Sequence, residues 1–249
     1  MRTTRLYTDQ PLAEGATVTL EPRPAKHAAQ VLRLGAGDVL TLFNGDGRDY
    51  AGRIEPGERG SVRVRIERAG PLEPPPPLAI TLAIGVSKGE RMDFALQKAV
   101  ELGASAIQPL FTERSVVRLN PGRLAKRQQH WQGIIVGAGE QSGRRRLPSL
   151  GPAQGLDAWL AAPPPAGPAE GVRLLLDHRA ERPLAALPAP AGGVTLLIGP
   201  EGGLAPGERE RARADGFAGV RIGPRVLRTE TAPIAAIAVL QALWGDFRE

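Results

Sequence analysis

Two glycine-containing segments near the end of the chain are the residues best suited to carry chemistry. Each joins a short apolar run to a glycine–proline turn: LLIGPEGGL spans residues 196–204, and VRIGPRVLRTETA spans residues 220–232. Because glycine has no Cβ, the backbone of such a loop can approach a ligand closely. In open α/β sheets, ligands bind at the carboxyl ends of the strands, where loops of this kind lie. Both segments are therefore suited to hold a nucleoside.

Other nucleotide and metal signatures are missing from the sequence. The chain contains neither the glycine–lysine motif of a phosphate-binding loop nor a strand-linked G-x-G-x-x-G motif, which argues against an NTPase or an ordinary dinucleotide enzyme. It has no cysteine, and its histidines at 27, 130 and 178 are widely separated, so no metal site is predicted. A lone Gly-Pro-Glu-Gly-Gly string is also compatible with a plain turn.

The net charge of +6 is concentrated in one segment. Residues 113–146 contain eight arginine and lysine residues and two glutamates, which leaves the rest of the chain neutral. A basic patch on a neutral body favours a polyanionic partner. A solvated helix face is the alternative interpretation.

The first 70 residues have the pattern of a small β-rich domain. Short segments of alternating polarity, separated by glycine-containing turns, predict three strands: Val39–Phe43, Arg48–Ile54 and Ser61–Glu67. Only His27–Leu34 has a helical pattern, so a small barrel is expected. A stiff proline-rich spacer follows, at Pro71 and at residues 74–77. It predicts two domains, at residues 1–72 and 73–249.

Beyond the spacer, strand and helix patterns alternate, which predicts an α/β domain with a parallel sheet. The predicted strands are Leu78–Val86, Ala106–Phe111, Val172–Leu176 and Val194–Ile198, and the predicted helices are Met92–Leu102, residues 121–138 with Asn120 as the cap, and Thr231–Trp244 with Thr231 as the cap. The last helix has no charged residue between Pro233 and Trp244. Such a helix is buried, either in the core or against a partner.

These motifs together resemble the ribosomal RNA small-subunit methyltransferase E family of the SPOUT superfamily. The strings LLIGPEGG and IGPRVLRTETA carry the resemblance, and two further segments agree with it: Lys88–Val116 and Gly139–Arg144. The N-terminal β-rich domain matches the PUA-like domain of that family. The departures are an Ala/Pro-rich insertion before Val172 and a proline, Pro233, that begins the last helix.

The resemblance implies a fold that the residue patterns alone do not predict. In that family the C-terminal chain forms a deep trefoil knot, although true knots are rare in proteins. The resemblance therefore implies that S-adenosyl-L-methionine (SAM) binds within a knot and that two subunits pair through the last helix. The implied activity is methylation of uracil N3 in 16S ribosomal RNA of the small subunit, with the assembled subunit as the expected substrate and free RNA as the alternative. No apolar run in the sequence is long enough to span a bilayer, so a cytoplasmic protein without membrane association is expected. No metal is expected either.

The resemblance also assigns roles to particular residues. The expected SAM site comprises Leu176, Asp177, Ile198, Gly199, Pro200, Glu201, Gly202, Gly203, Ile222, Gly223, Val226, Leu227 and Thr231. The expected RNA-phosphate contacts are Arg114, Arg118, Arg144 and Arg145. Arg228 is the candidate for stabilising charge on the target base, with an ion pair to Glu230 or Glu201 as the alternative role. Glu230 is either the base or the residue that holds Arg228.

Three other functions remain open at this point. A non-catalytic RNA-binding or ribosome-assembly factor would bind RNA but not SAM. A related knotted enzyme would methylate the ribose 2′-oxygen instead of uracil N3. A small-molecule nucleotide enzyme would leave the basic segment unexplained.

Overall fold

The structure is a computed structural model that describes residues 4–57, 61–115, 121–162 and 171–248. The chain forms two compact units, one of residues 1–75 with 136–147 and the other of residues 76–135 with 148–249. Residues 136–147 thus cluster with the first unit, although in sequence they lie beyond the spacer. The domain boundary between residues 72 and 73 stays a proposal.

The first unit is built on a five-stranded sheet. Its strands are β1 (Arg5–Tyr7), β2 (Thr17–Thr19), β3 (Val39–Phe43), β4 (Tyr50–Glu55) and β5 (Arg63–Ala69), in the spatial order β1-β3-β4-β5-β2. Val64 and Ile66 are buried, whereas Arg63 and Arg65 are exposed. The alternation in the sequence therefore places one face of β5 in the core.

The helix that precedes β3 begins earlier than the sequence pattern predicts. Helix α1 spans Pro22–Lys26 and continues as a π-helical turn over His27–Val31. The predicted start at His27 is wrong because Pro22, in the first helical position, already sets a helical φ. The sequence pattern does not predict strands β1 and β2, since three residues are too few to show alternation. Their pairing with β3 and β5 defines them.

The second unit contains a parallel sheet in the order β12-β10-β11-β6-β7-β8, with β9 also paired to β7. All strand pairs among its described residues are parallel. The strands are β6 (Ile80–Gly85), β7 (Ala106–Phe111), β8 (Ser149–Leu150), β9 (Gln154–Gly155), β10 (Val172–Leu176), β11 (Val194–Ile198) and β12 (Ala218–Val220). The α/β fold class is confirmed, and β7, β10 and β11 have the predicted bounds.

The α-helices that alternate with these strands in the described ranges are α2 (Glu90–Glu101), α3 (Pro121–Ser142), α4 (Leu156–Ala161), α5 (Pro206–Ala214) and α6 (Thr231–Trp244). Helix α3 ends four residues later than predicted, and its predicted cap, Asn120, lies outside the described residues. The cap of α6 is Glu230 rather than Thr231, which is the first helical residue. The trefoil knot stays a prediction. Within the described part of the chain, none of the helices has the length and apolarity needed to span a membrane.

Candidate functional site

A cavity of about 230 Å³ lies at the carboxyl ends of the parallel strands of the second unit. Three loops supply most of its wall: the loop after β10, the glycine-rich loop after β11 and the loop between β12 and α6. Arg114, from the loop after β7, Arg209, from α5, and Ala232, from α6, also line the cavity. Parallel strands bring these loops together because their carboxyl ends all meet at one edge of the sheet.

Most residues of the predicted SAM site lie in this wall. Gly223 and Thr231 do not line the cavity, whereas the others do: Leu176, Asp177, Ile198, Gly199, Pro200, Glu201, Gly202, Gly203, Ile222, Val226 and Leu227. Val226 is 72% exposed, so its side chain extends into solvent even though the residue borders the cavity. The cavity thus brings together loops that are separate in sequence.

The loop after β11, here called the glycine-rich loop (residues 199–205), depends on two glycines. Gly203 has a φ of +64°, a conformation that side chains rarely adopt, and its N–H donates to the carbonyl of Pro200 at 2.8 Å. A Cβ on Gly202 would lie 3.0 Å from the Cβ of Arg114. The arginine also donates from Nη1 to the carbonyl of Gly202 at 2.9 Å. The loop and the arginine therefore pack so closely that a side chain at 202 would require Arg114 to shift.

Asp177 provides a buried carboxylate in the cavity wall, with 8% of the residue exposed. Its Oδ1 accepts a hydrogen bond from the N–H of Arg179 at 3.0 Å. Its Oδ2 lies 3.5 Å from Arg213 and 3.8 Å from Arg209. Two guanidinium groups thus compensate the buried negative charge, which would otherwise be costly.

Glu201 connects the glycine-rich loop to the loop between β6 and α2. Its Oε1 accepts from the N–H of Lys88 at 3.0 Å and from Arg91 at 3.3 Å. Partial burial acts to raise the pKa of Glu201, but the hydrogen bonds from Lys88, from its own backbone and from Arg91 outweigh burial and lower that pKa. Glu201 is therefore ionised at neutral pH.

A buried hydroxyl that the sequence analysis missed, Ser87, also supports the cavity wall. Its Oγ lies 3.1 Å from Oγ1 of Thr229, and Thr229 donates to the carbonyl of Gly199 at 3.4 Å. Thr229 lines the cavity, whereas Ser87 is 4% exposed behind it. No local pattern identifies Ser87, because its partner is 142 residues away.

The two candidate catalytic residues alternate with residues of the cavity wall. Leu227 and Thr229 line the cavity, whereas Arg228 is exposed and Glu230 is half-buried. Within the described ranges, Arg228 forms no ion pair with Glu230 or with Glu201, which instead bonds Arg91. One carboxylate oxygen of Glu230, Oε2, is buried and has no hydrogen-bond partner among the residues that the structure describes.

The four candidate RNA-binding arginines have different environments. Arg114 lies at the cavity in the second unit, and Arg118 is outside the described residues. In the first unit, Arg145 is 3.3 Å from Asp49 and donates to the carbonyl of Pro71. The carbonyl of Arg144 accepts a hydrogen bond from Arg5 at 3.1 Å. Arg144 and Arg145 thus belong to contacts within the first unit.

The chain matches two protein families. Residues 74–241 match the RNA methyltransferase domain, and residues 23–67 match the RNA methyltransferase PUA domain. Among similar proteins, the ribosomal RNA small subunit methyltransferase E of Mycobacterium bovis is 33% identical, with 96% of this chain and 92% of that protein covered. The same-named protein of Buchnera aphidicola is 31% identical, with 98% of each covered.

Solved structures show the same similarity. The ribosomal RNA small subunit methyltransferase E of Neisseria gonorrhoeae, crystallised with bound SAM, superposes with a TM-score of 0.89 at 39% identity, covering 99% of this chain and 100% of that one. A putative methyltransferase of Legionella pneumophila, also in complex with SAM, has a TM-score of 0.90 at 39% identity with the same coverage.

A parallel sheet with loops gathered at its carboxyl edge, preceded by a PUA domain, is the architecture of an RNA methyltransferase. Given its identity with relatives over nearly the whole of both chains, this chain belongs to the ribosomal RNA small subunit methyltransferase E family.

Proposed function

We propose that this chain transfers a methyl group from SAM to N3 of a uridine in 16S ribosomal RNA of the small subunit. The observation that carries the proposal is the cavity at the carboxyl edge of the sheet, lined by the glycine-rich loop and by the loop between β12 and α6. Relatives that were crystallised with SAM share the fold over almost the entire chain. A ribosomal RNA substrate supports a cytoplasmic location for the protein.

The cavity residues fit a nucleoside that carries an amino acid. The glycine-rich loop offers backbone groups at close range, because Gly202 and Gly203 have no side chains. Leu176, Ile198 and Leu227 offer apolar surface, and the carboxylate of Asp177 can accept hydrogen bonds from hydroxyl or ammonium groups. SAM would supply a methyl group on a sulfonium sulfur: a nucleophile would attack the methyl carbon in line with the carbon–sulfur bond, and the neutral thioether would leave.

Uracil N3 becomes a good nucleophile only after it loses its imide proton, and the resulting charge spreads over O2 and O4. A positioned cation would stabilise that charge as it develops. Arg228 fits this role because it is adjacent to the cavity wall, is exposed and, within the described ranges, is not paired with Glu230 or Glu201. Glu230, whose Oε2 has no partner among the described residues, is the candidate to accept the proton or to orient Arg228 once RNA is bound.

Two structural features of the proposal concern the C-terminal part of the chain. We propose that it is knotted, with the knot enclosing the cofactor, and that α6 pairs with α6 of a second copy. One face of α6 packs within the second unit, and its other face is apolar and only half-buried.

The function can be tested by titrating the purified protein with SAM in a calorimeter and by mass spectrometry of ribosomal RNA nucleosides. Cells that lack the protein should lose one N3-methyluridine from small-subunit RNA, and the purified protein should restore it. A protein that binds RNA but releases no heat with SAM would instead be a non-catalytic assembly factor. Loss of a ribose-methylated nucleoside would identify the 2′-oxygen as the target.

A further inference from the structure

Glu208 is a buried carboxylate that joins two loops of the cavity, although it does not line the cavity itself. It lies in the first turn of α5 and is only 3% exposed. One oxygen, Oε2, accepts from the N–H of Ala205 at 2.8 Å, and the other, Oε1, accepts from the N–H of Glu113 at 2.8 Å. The first contact is half of a capping box, which local sequence can explain. The second crosses 95 residues of sequence, and helix capping alone does not require it.

A second connection links the same two loops. Arg114, next to Glu113, donates to the carbonyl of Gly202 at 2.9 Å. The glycine-rich loop is therefore attached to the loop after β7 at two points, once through the main chain of residue 202 and once through the carboxylate of Glu208. Arg209 adds a bond from Nη1 to the carbonyl of Leu204 at 2.6 Å.

These connections matter because ordering the glycine-rich loop is costly. Fixing a glycine backbone in one conformation costs more entropy than fixing any other residue. A charged acceptor buried away from water forms strong hydrogen bonds with backbone N–H groups. Glu208 can therefore offset the cost of ordering the loop before a ligand arrives, which is the physical meaning of a preorganised site.

We infer that Glu208 is a positioning residue: it holds the glycine-rich loop and the loop after β7 in the arrangement that binds the cofactor. This inference rests on the proposed function, because its test measures the affinity of the protein for SAM. Glu208 does not touch the cavity, so its effect is on affinity for SAM and not on the transfer step itself. No comparable role falls to Glu210, which is exposed on the same helix.

The test compares Glu208→Gln with Glu210→Gln, because both remove one negative charge from α5. In Glu208→Gln the amide oxygen can accept a hydrogen bond from the N–H of Ala205 or of Glu113, but not from both. The NH₂ group then faces the other N–H, which is also a donor, so that hydrogen bond is lost. We expect the SAM dissociation constant of Glu208→Gln to rise by on the order of tenfold or more, as when a charge-assisted bond is removed. Glu210→Gln should bind as the wild type does. At saturating SAM, single-turnover methylation by Glu208→Gln should stay within about twofold of wild type, so that KM for SAM changes and kcat does not.

Unchanged SAM affinity in folded Glu208→Gln would overturn the inference and reduce Glu208 to a helix cap. A fall in kcat at saturating SAM would also overturn it. If the variant does not fold, hydrogen exchange in the wild type gives the answer: SAM should slow exchange at residues 112–115 and 199–205 together. Protection of the glycine-rich loop alone would contradict the inference. Failure of the wild type to bind SAM would instead reject the proposed function.

Discussion

Gly202 lies where the glycine-rich loop passes closest to another side chain. Valine at this position should abolish SAM binding, because its Cβ alone would lie 3.0 Å from the Cβ of Arg114 and 3.4 Å from its Cδ. Displacing Arg114 would also break its bond to the carbonyl of residue 202. Gly122→Val is the matched control, since a Cβ there meets no atom of the described residues within 4 Å. Calorimetry should show no SAM binding by the first variant and normal binding by the second, and normal binding by both would place the cofactor elsewhere.

Arg228 has two alternative roles, stabilisation of charge on the target base and a structural ion pair. The ion pairs that would make it structural are not formed with Glu230 or Glu201 in the described part of the chain. We therefore expect Arg228→Ala to bind SAM and RNA normally but to lose methylation by at least ~100-fold, because the charge matters as the N3 anion forms. Arg228→Lys should recover only part of the rate, since lysine keeps the charge but lacks the planar fork.

The rate of single-turnover methylation at saturating SAM and RNA tests this prediction for the Arg228 variants. Glu230→Gln serves as a comparison, because a general base and a residue that orients Arg228 respond differently to pH. If Glu230 accepts the proton, Glu230→Gln should methylate more slowly than the wild type at every pH below the pKa of uracil N3. Normal transfer by Arg228→Ala would remove Arg228 from the catalytic mechanism.

Among the elements, α6 combines two environments on one helix. Ala236, Ile237 and Leu240 are fully buried on one side, whereas Ile234 and Val239 are only half-buried on the other. The sequence pattern allows two interpretations of this uncharged helix, the core and a partner. The structure gives it one core face and one apolar face that is partly open to solvent.

Helix α6 therefore gives a prediction about oligomeric state. Light scattering should give about twice the chain mass of 26.4 kDa at micromolar concentration. Val239→Arg should yield monomers, because a charge would be buried without a partner in the pairing of two copies. Val31→Arg, at a 67% exposed position of the first unit, should leave the mass unchanged. A monomeric wild type would contradict the proposed pairing.

The basic segment of residues 113–146 is divided between the two units of the chain. Arg144 and Arg145 lie in the first unit and Arg114 in the second. Replacing Arg144 and Arg145 together with alanine should weaken RNA binding and flatten its salt dependence, by roughly 0.7–0.9 in the log–log slope for each phosphate that is no longer neutralised. SAM affinity should not change, since neither residue lines the cavity.

A matched double variant tests whether location or total charge matters. Arg53 and Arg63 are exposed, lie in the first unit outside the basic segment and pair with glutamates, so their replacement by alanine changes the net charge equally. RNA binding measured between about 50 and 200 mM salt should distinguish the two pairs. Equal weakening by both double variants would mean that overall charge, and not the basic segment, attracts the RNA.

Most of the main elements and the loops of the site can be predicted from local sequence. Strands β7, β10 and β11 have their predicted bounds, because each is a mostly apolar run of five or six residues with a polar residue or a glycine on either side. The two glycine–proline segments are predicted as ligand-binding loops, and both line the same cavity. These features are local, so a stretch of a few residues contains the information that specifies them.

The contacts that hold those loops in place depend on the fold and cannot be predicted from local sequence. Glu208 bonds Glu113 across 95 residues, Ser87 bonds Thr229 across 142, and Glu201 bonds the N–H of Lys88 across 113. No periodicity in the sequence predicts such contacts, because they form only when the parallel strands bring their carboxyl ends to one edge of the sheet. The physical reason is that a buried polar group must find a hydrogen-bond partner wherever the fold places one. Local pattern does not specify that partner.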